Sequence, residues 1–269
     1  MEIEFTADVM VETIELQSEL LDRIVQIDFY QSGADNPGMG YSLLLMNDGQ
    51  DLVKMDFEKL LDFFNSEKLI RPLLVVGIHG GPDRINEYGM ALTPDYMGRG
   101  AKAGLYEQFV LNELMPFILG RFSQYIFNET AFGGFSLGAL SALDIAWNNP
   151  GIFSKAGVFS GSLWWRSVGQ TEKEYNQSAH RLMHAQVRKS GYRPGMKFFF
   201  QCGELDEAQD RNKNGVIDSI DDTVDLMREL VKKGYLEGRD FYYLQMPNGK
   251  HDVTSWAKAI PMFLKWGWG

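Results

Sequence analysis

Residues 131–147 read AFGGFSLGALSALDIAW. An apolar run enters Gly133-Gly134, the peptide Gly134-Phe135-Ser136-Leu137-Gly138 follows, and an apolar helical pattern extends from Leu137 to Trp147. This is G-x-S-x-G with a strand before it and a helix after it, the context required of a nucleophile elbow. A serine on so sharp a turn needs small neighbours two positions to either side, and Gly134 and Gly138 supply them. The N-terminus of the following helix adds a dipole that favours an oxyanion.

The flanking sequence repeats the alternation. Tyr41 to Met46 (YSLLLM) is apolar on both faces, as a buried strand is, and Leu73 to Ile78 (LLVVGI) is a second buried strand. Ile24 to Tyr30, Ala156 to Ser160, Lys197 to Gln201 and Phe241 to Gln245 are further strand candidates. Phe57 to Phe64 and Leu105 to Leu119 carry apolar residues at helical spacing. Helices are also expected near 175–190, near 220–233 and from about residue 253. Short buried strands alternating with helices predict parallel βαβ units. The fold class is therefore α/β, a mostly parallel central sheet with helices on both faces. With no repeat, low-complexity tract or linker, residues 1–269 read as a single domain. Ligands of such sheets sit beyond the carboxyl ends of the strands, which is where reactive residues are sought.

Composition narrows the partners. There are 26 Lys and Arg against 36 Asp and Glu, a net charge of −10, which argues against nucleic acid or an anionic membrane. The single cysteine, Cys202, excludes an internal disulfide and a cysteine-based zinc site. No apolar run approaches a membrane span. Glu2, Glu4, Asp8, Glu12 and Glu15 make the first twenty residues unlike a signal peptide. The expected location is the cytoplasm, or outside the cell if a leader has been removed.

A serine hydroxyl needs a base to attack an ester. Of the four histidines, His79 precedes Ser136 at a strand exit. His180 and His184 are spaced i, i+4, but Arg181 stands where a zinc helix would carry its Glu, so a solvated helix face is expected. His251, in Asn248-Gly249-Lys250-His251-Asp252, follows a late strand and precedes the last helix. That suits the order Ser, acid, His of α/β-hydrolases. The orienting acid should follow Lys197 to Gln201. Asp206 is the choice there, with Glu204 and Glu207 as rivals.

The oxyanion hole requires two backbone N–H groups, one from the residue after the serine, Leu137. The second should come from the loop after an earlier strand. His79-Gly80-Gly81 resembles the H-G-G motif of lipases, but Asp48-Gly49-Gln50 holds the required position, which favours the N–H of Gln50.

Residues 210–221 read DRNKNGVIDSID. Oxygen ligands at positions 1, 3 and 5, glycine at 6, and acids at 9 and 12 fit a twelve-residue calcium loop. Asp210, Asn212 and Asn214 would ligate through side chains, Val216 through its carbonyl, Asp218 through water, and Asp221 would close the site. The bland alternative is a turn capping a helix through Ser219.

Taken together, these motifs resemble the enterochelin esterase-like and feruloyl esterase-like branch of the Putative esterase family of α/β-hydrolases. The matching pieces are Leu44-Met46-Asn47-Asp48-Gly49-Gln50, Val75-Val76-Gly77-Ile78, Arg84 with Glu87-Tyr88, and Gly133 to Gly138. Ser160-Gly161-Ser162-Leu163-Trp164-Trp165, Gly203 with Asp206, and Gly249 with His251 complete the series. The resemblance implies Ser136, Asp206 and His251 as a triad, a backbone hole at Gln50 and Leu137, and Trp165 near the substrate. Read alone, Arg84 and Glu87 suggest a structural ion pair, although Arg84 is also a candidate substrate contact. The expected activity is that of a serine carboxylesterase acting on a small-molecule or carbohydrate-linked ester, with a structural Ca2+ and no organic cofactor. Two alternatives stand beside it: an acyltransferase on the same triad, and a non-catalytic calcium-dependent binding module.

Overall fold

The computed structural model describes residues 9–31 and 40–269. Of the acidic N-terminal run, Glu2, Glu4 and Asp8 lie outside the described residues. Eight strands form one sheet: β1 (Met10–Ser18), β2 (Arg23–Gln31), β3 (Tyr41–Asn47), β4 (Leu73–Ile78), β5 (Phe127–Phe135), β6 (Lys155–Phe159), β7 (Lys197–Leu205) and β8 (Phe241–Lys250). Their spatial order is β1-β2-β4-β3-β5-β6-β7-β8. The pairs β1/β2 and β2/β4 are antiparallel and every pair from β4 to β8 is parallel.

The helices are α1 (Gln50–Lys54), α2 (Phe57–Ser66), α3 (Arg84–Glu87), α4 (Ala103–Phe109), α5 (Met115–Arg121), α6 (Leu137–Asn148), α7 (Gln177–His180), α8 (Leu182–Lys189), α9 (Asp218–Lys233) and α10 (Val253–Trp268). A π-turn, Val110–Leu114, joins α4 to α5 just before Pro116, which has no N–H to give to the preceding turn. The single helix expected over Leu105 to Leu119 is thus three segments.

Alternation along the strands divides the core. Leu43, Leu45, Phe198 and Phe200 point into one apolar cluster, with α6 and α9 against them. Leu44, Met46 and Phe199 point into the other, with Phe57, Leu61 and Phe64 of α2 and Ile260, Phe263 and Leu264 of α10. This two-sided covering explains why the middle stretches of the central strands are mostly apolar on both faces. Gly157 lets α10 approach closely, since a Cβ there would lie 2.8 Å from Phe263 Cζ. Among the described residues, no helix is long and apolar enough to cross a membrane.

Candidate active site

Ser136 sits between β5 and α6 with φ 56° and ψ −119°, a backbone conformation that costs an L-residue energy and turns its side chain out of the sheet. The turn works only because its flanks are bare. A Cβ on Gly134 would lie 2.7 Å from the backbone of Gly138, and one on Gly138 would lie 2.6 Å from an Asp48 carboxylate oxygen. Ser136 N–H donates to the Phe159 carbonyl at 2.9 Å, tying the turn to the end of β6.

The same tight packing brings the distant loops in. Gly203 on β7 and Gly249 on β8 meet so closely that a Cβ on Gly203 would lie 2.4 Å from Gly249 carbon. The loops that leave those strand ends carry Asp206 and His251. His251 Nε2 lies 2.8 Å from Ser136 Oγ, joining residues 115 positions apart in sequence. Its ring packs edge-on against Trp256, whose Nε1 donates to Ser160 Oγ at 2.9 Å. Burial holds the His251 pKa below its ordinary value, with the Asp206 charge pulling the other way. The imidazole is therefore neutral near pH 7, the form that can accept a proton.

Asp206 stands beside this pair without joining it. One carboxylate oxygen accepts the Gly203 N–H at 3.0 Å, and the Ser160 hydroxyl lies beside the carboxylate. Burial pushes its carboxyl above the ordinary carboxylate range. Ser136, Ser160, Gly161, Ser162, Trp164, Asp206, Glu207, Ser219 and His251 line one cleft of about 240 Å³.

On the other side of Ser136, Gln50 and Leu137 each open a helix, so their N–H groups have no carbonyl one turn back. Asn47 fastens the two segments together. Fully buried, it donates from Nδ2 to the Gly138 carbonyl at 2.8 Å and accepts from Tyr106 Oη at 2.5 Å. Sequence reading named this residue only as part of a matching stretch and gave it no role; its signal is a buried amide ending a mostly apolar strand.

Several expectations need correction. Trp165 does not line the cleft: it is 0% exposed, packs against Gly89 and Gly100, and donates to the Thr93 carbonyl at 3.3 Å. Trp164 is the neighbour that lines the cleft. Arg84 does not pair with Glu87 but forks onto Asp48 at 2.5 and 2.7 Å, while Glu87 binds Arg23. His184 is not on a solvated face. It is buried, its Nε2 lies 2.8 Å from the Asp222 carbonyl, and burial pushes its pKa down to about 3. His79, at the exit of β4, pairs with Asp28 at 2.6 Å.

In the loop over 210–221, Asn212 and Asn214 donate their amide nitrogens to one Asp221 oxygen at 2.7 and 3.0 Å. Asp210 accepts the N–H groups of Asn214 and Gly215. Asp218 is not part of this ring: it accepts the Arg211 N–H and faces that residue's guanidinium at 3.4 Å. Among the described residues no three carboxylate, imidazole or thiolate side chains are grouped to hold a metal ion. An ion here would meet the Asp210 and Asp221 carboxylates together with amide and carbonyl oxygens, an all-oxygen set that suits calcium better than a transition metal.

A sheet of this order, with a serine at the turn after β5 and a histidine after β8, defines an α/β-hydrolase. The chain belongs to the Putative esterase family, whose sequence model matches residues 18–266. No curated protein sequence matches it significantly. Among solved structures, the enterobactin esterase from Shigella flexneri, crystallised in the presence of enterobactin, superposes with a TM-score of 0.73 at 16% identity over 97% of this chain. This chain covers 59% of that one, and so spans less than two thirds of its length. A ferulic acid esterase superposes with a TM-score of 0.68 at 15% identity, over 97% of this chain and 98% of its own. An IroE-like serine hydrolase from Shewanella oneidensis does so with a TM-score of 0.69 at 20% identity, over 95% of this chain and 80% of its own. At these identities the likeness is one of fold.

Proposed function

We propose that this esterase-family chain is a serine carboxylesterase acting on a small-molecule or carbohydrate-linked ester. The observation that carries the reading is the 2.8 Å approach of His251 Nε2 to Ser136 Oγ at a strained turn. His251 takes the hydroxyl proton as Ser136 attacks the ester carbonyl. The N–H groups of Gln50 and Leu137 receive the oxyanion of the tetrahedral intermediate. Protonation by His251 releases the alcohol, and water, deprotonated by the same imidazole, then frees the acid. Asp206 stabilises the imidazolium by its charge and is the acid of the triad. The enterobactin and ferulic acid esterases among the similar structures support an ester substrate, and Trp164 on the cleft wall suits a bulky apolar or aromatic group in it. The test is hydrolysis of p-nitrophenyl acetate by wild type and Ser136→Ala: turnover by the first and background by the second support the reading, and equal rates refute it.

We further propose that residues 210–221 hold a structural Ca2+ through Asp210, Asn212, Asn214 and Asp221 and the Val216 carbonyl. Its support is the spacing of these residues and their convergence around Asp221. The loop begins four residues beyond Asp206, so an ion would stiffen the segment that carries that carboxylate.

A further inference from the structure

The cleft at Ser136 does not end at Trp164. Beyond that ring lies a second hollow of about 260 Å³, which shares Trp164 and Glu207 with the first. Three arginines line it, Arg99, Arg166 and Arg211, a concentration of positive charge in a chain of net charge −10. Two of the three are already neutralised. Arg99 forks onto the buried Asp95, and Arg211 faces Asp222 at 2.7 Å and Asp218 at 3.4 Å.

Arg166 differs. Among the described residues no carboxylate comes within ion-pair distance of it, and of a guanidinium's five N–H groups only one finds a protein acceptor, Gln170 Oε1 at 2.6 Å. The group is nevertheless held in place. Its carbonyl accepts the Tyr96 N–H, and its guanidinium stands 6.0 Å from the Tyr96 ring, 5.8 Å from Trp164 and 5.8 Å from Tyr175. An arginine fixed between aromatic rings, with its donors free, has already met most of the ordering cost of binding a planar anion.

We propose that this hollow is a substrate subsite for a carboxylate, bound by Arg166, on an ester whose scissile bond lies at Ser136. The proposal rests on the esterase reading of the adjoining cleft. One uncompensated arginine matches a single negative charge, which favours a carboxylate over a phosphate dianion. Two carboxylates oppose it: Asp218, which also lines the hollow but faces Arg211, and Glu207 on the shared rim, with no cation at ion-pair distance among the described residues. Burial, and behind it the Asp218 and Asp222 charges, hold the Glu207 carboxyl above the ordinary range.

The test compares p-nitrophenyl monoesters of dicarboxylic acids, from four to eight carbons, with neutral p-nitrophenyl esters of the same length. Wild type should prefer the carboxylate ester at one length or more. A charged hydrogen-bonded contact is typically worth about tenfold or more. Arg166→Ala and Arg166→Gln should each cut the ratio of the two kcat/KM values about tenfold, chiefly through KM. Glu207→Gln should raise that ratio, and the surface variant Arg239→Ala should leave it unchanged. A wild type without preference at any length, or a ratio that survives loss of Arg166, overturns the proposal. A preference for a phosphate-bearing ester over the carboxylate ester would overturn the choice of anion. Ser136→Ala, run in parallel, separates the two readings: if it still hydrolyses these esters, the esterase reading itself has failed.

Discussion

Replacing Asn47 by Leu would separate the two halves of the proposed oxyanion hole while keeping side-chain volume nearly constant. The change removes the 2.8 Å bond to the Gly138 carbonyl and the 2.5 Å bond from Tyr106, inside a fully buried site. Each polar group orphaned in this way costs about 1–3 kcal/mol, so the two together cost about 2–6 kcal/mol. At roughly 2 °C per kcal/mol for a chain of this size, the melting temperature should fall by roughly 4–12 °C. The Gly138 carbonyl, released from its tether, lets the first turn of α6 shift and carries the Leu137 N–H with it. Loss of one oxyanion donor is typically worth about 3 kcal/mol, or roughly a hundredfold in kcat. Tyr106→Phe is the control: it takes away the Tyr106 bond but leaves Asn47 on Gly138. Thermal melts and p-nitrophenyl ester kinetics on both variants, well below their melting points, decide the matter. If Asn47→Leu keeps kcat within twofold of Tyr106→Phe, Asn47 does not position the hole and the reasoning fails.

Two other outcomes follow from the site. His251 must be neutral to act as a base and burial lowers its pKa, so the acid limb of kcat/KM should fall below pH 6.5, the ordinary histidine value. Asp206 works against that lowering, so Asp206→Asn should move the limb to still lower pH while reducing the rate; an upward move would refute the placement of its charge. For the loop over 210–221, Ca2+ should raise the melting temperature relative to a chelator, and Asp210→Ala should abolish the difference. At a hundred times the dissociation constant the stabilisation would be about 2.7 kcal/mol, and identical melts with and without the ion would dismiss the site.

What the sequence disclosed depended on how strongly burial and steric need constrain a residue. The strands from Tyr41 to Phe159 are covered on both faces, so their apolar runs are plain. Gly134 and Gly138 are forced by the turn, which made Ser136 readable. β1 escaped notice because most of Met10–Ser18 is exposed: β2 holds it by backbone pairing, and only Ile14 and Leu16 pack against the core. The adjacent Trp164 and Trp165 lie in an irregular loop with no periodicity to say which one turns inward. Arg84 and Glu87 are near neighbours in sequence, yet each found a partner on a different strand or loop. His180 and His184 read as one helical face, but the chain is extended at Arg181, and the break sends His184 into the core. Asn47 and Arg166 act through contacts 91 residues away in the first case and through the absence of an acid in the second, and spacing reports neither.

The central claim is that Ser136 is the nucleophile and His251 its base. Intact-mass analysis and peptide mapping after exposure to a fluorophosphonate test it most directly, with wild type, Ser136→Ala and His251→Ala side by side. The account predicts one adduct per wild-type chain, located on Ser136, none on Ser136→Ala, and labelling of His251→Ala slowed by orders of magnitude. An adduct on any other serine, or unchanged labelling without His251, would contradict it.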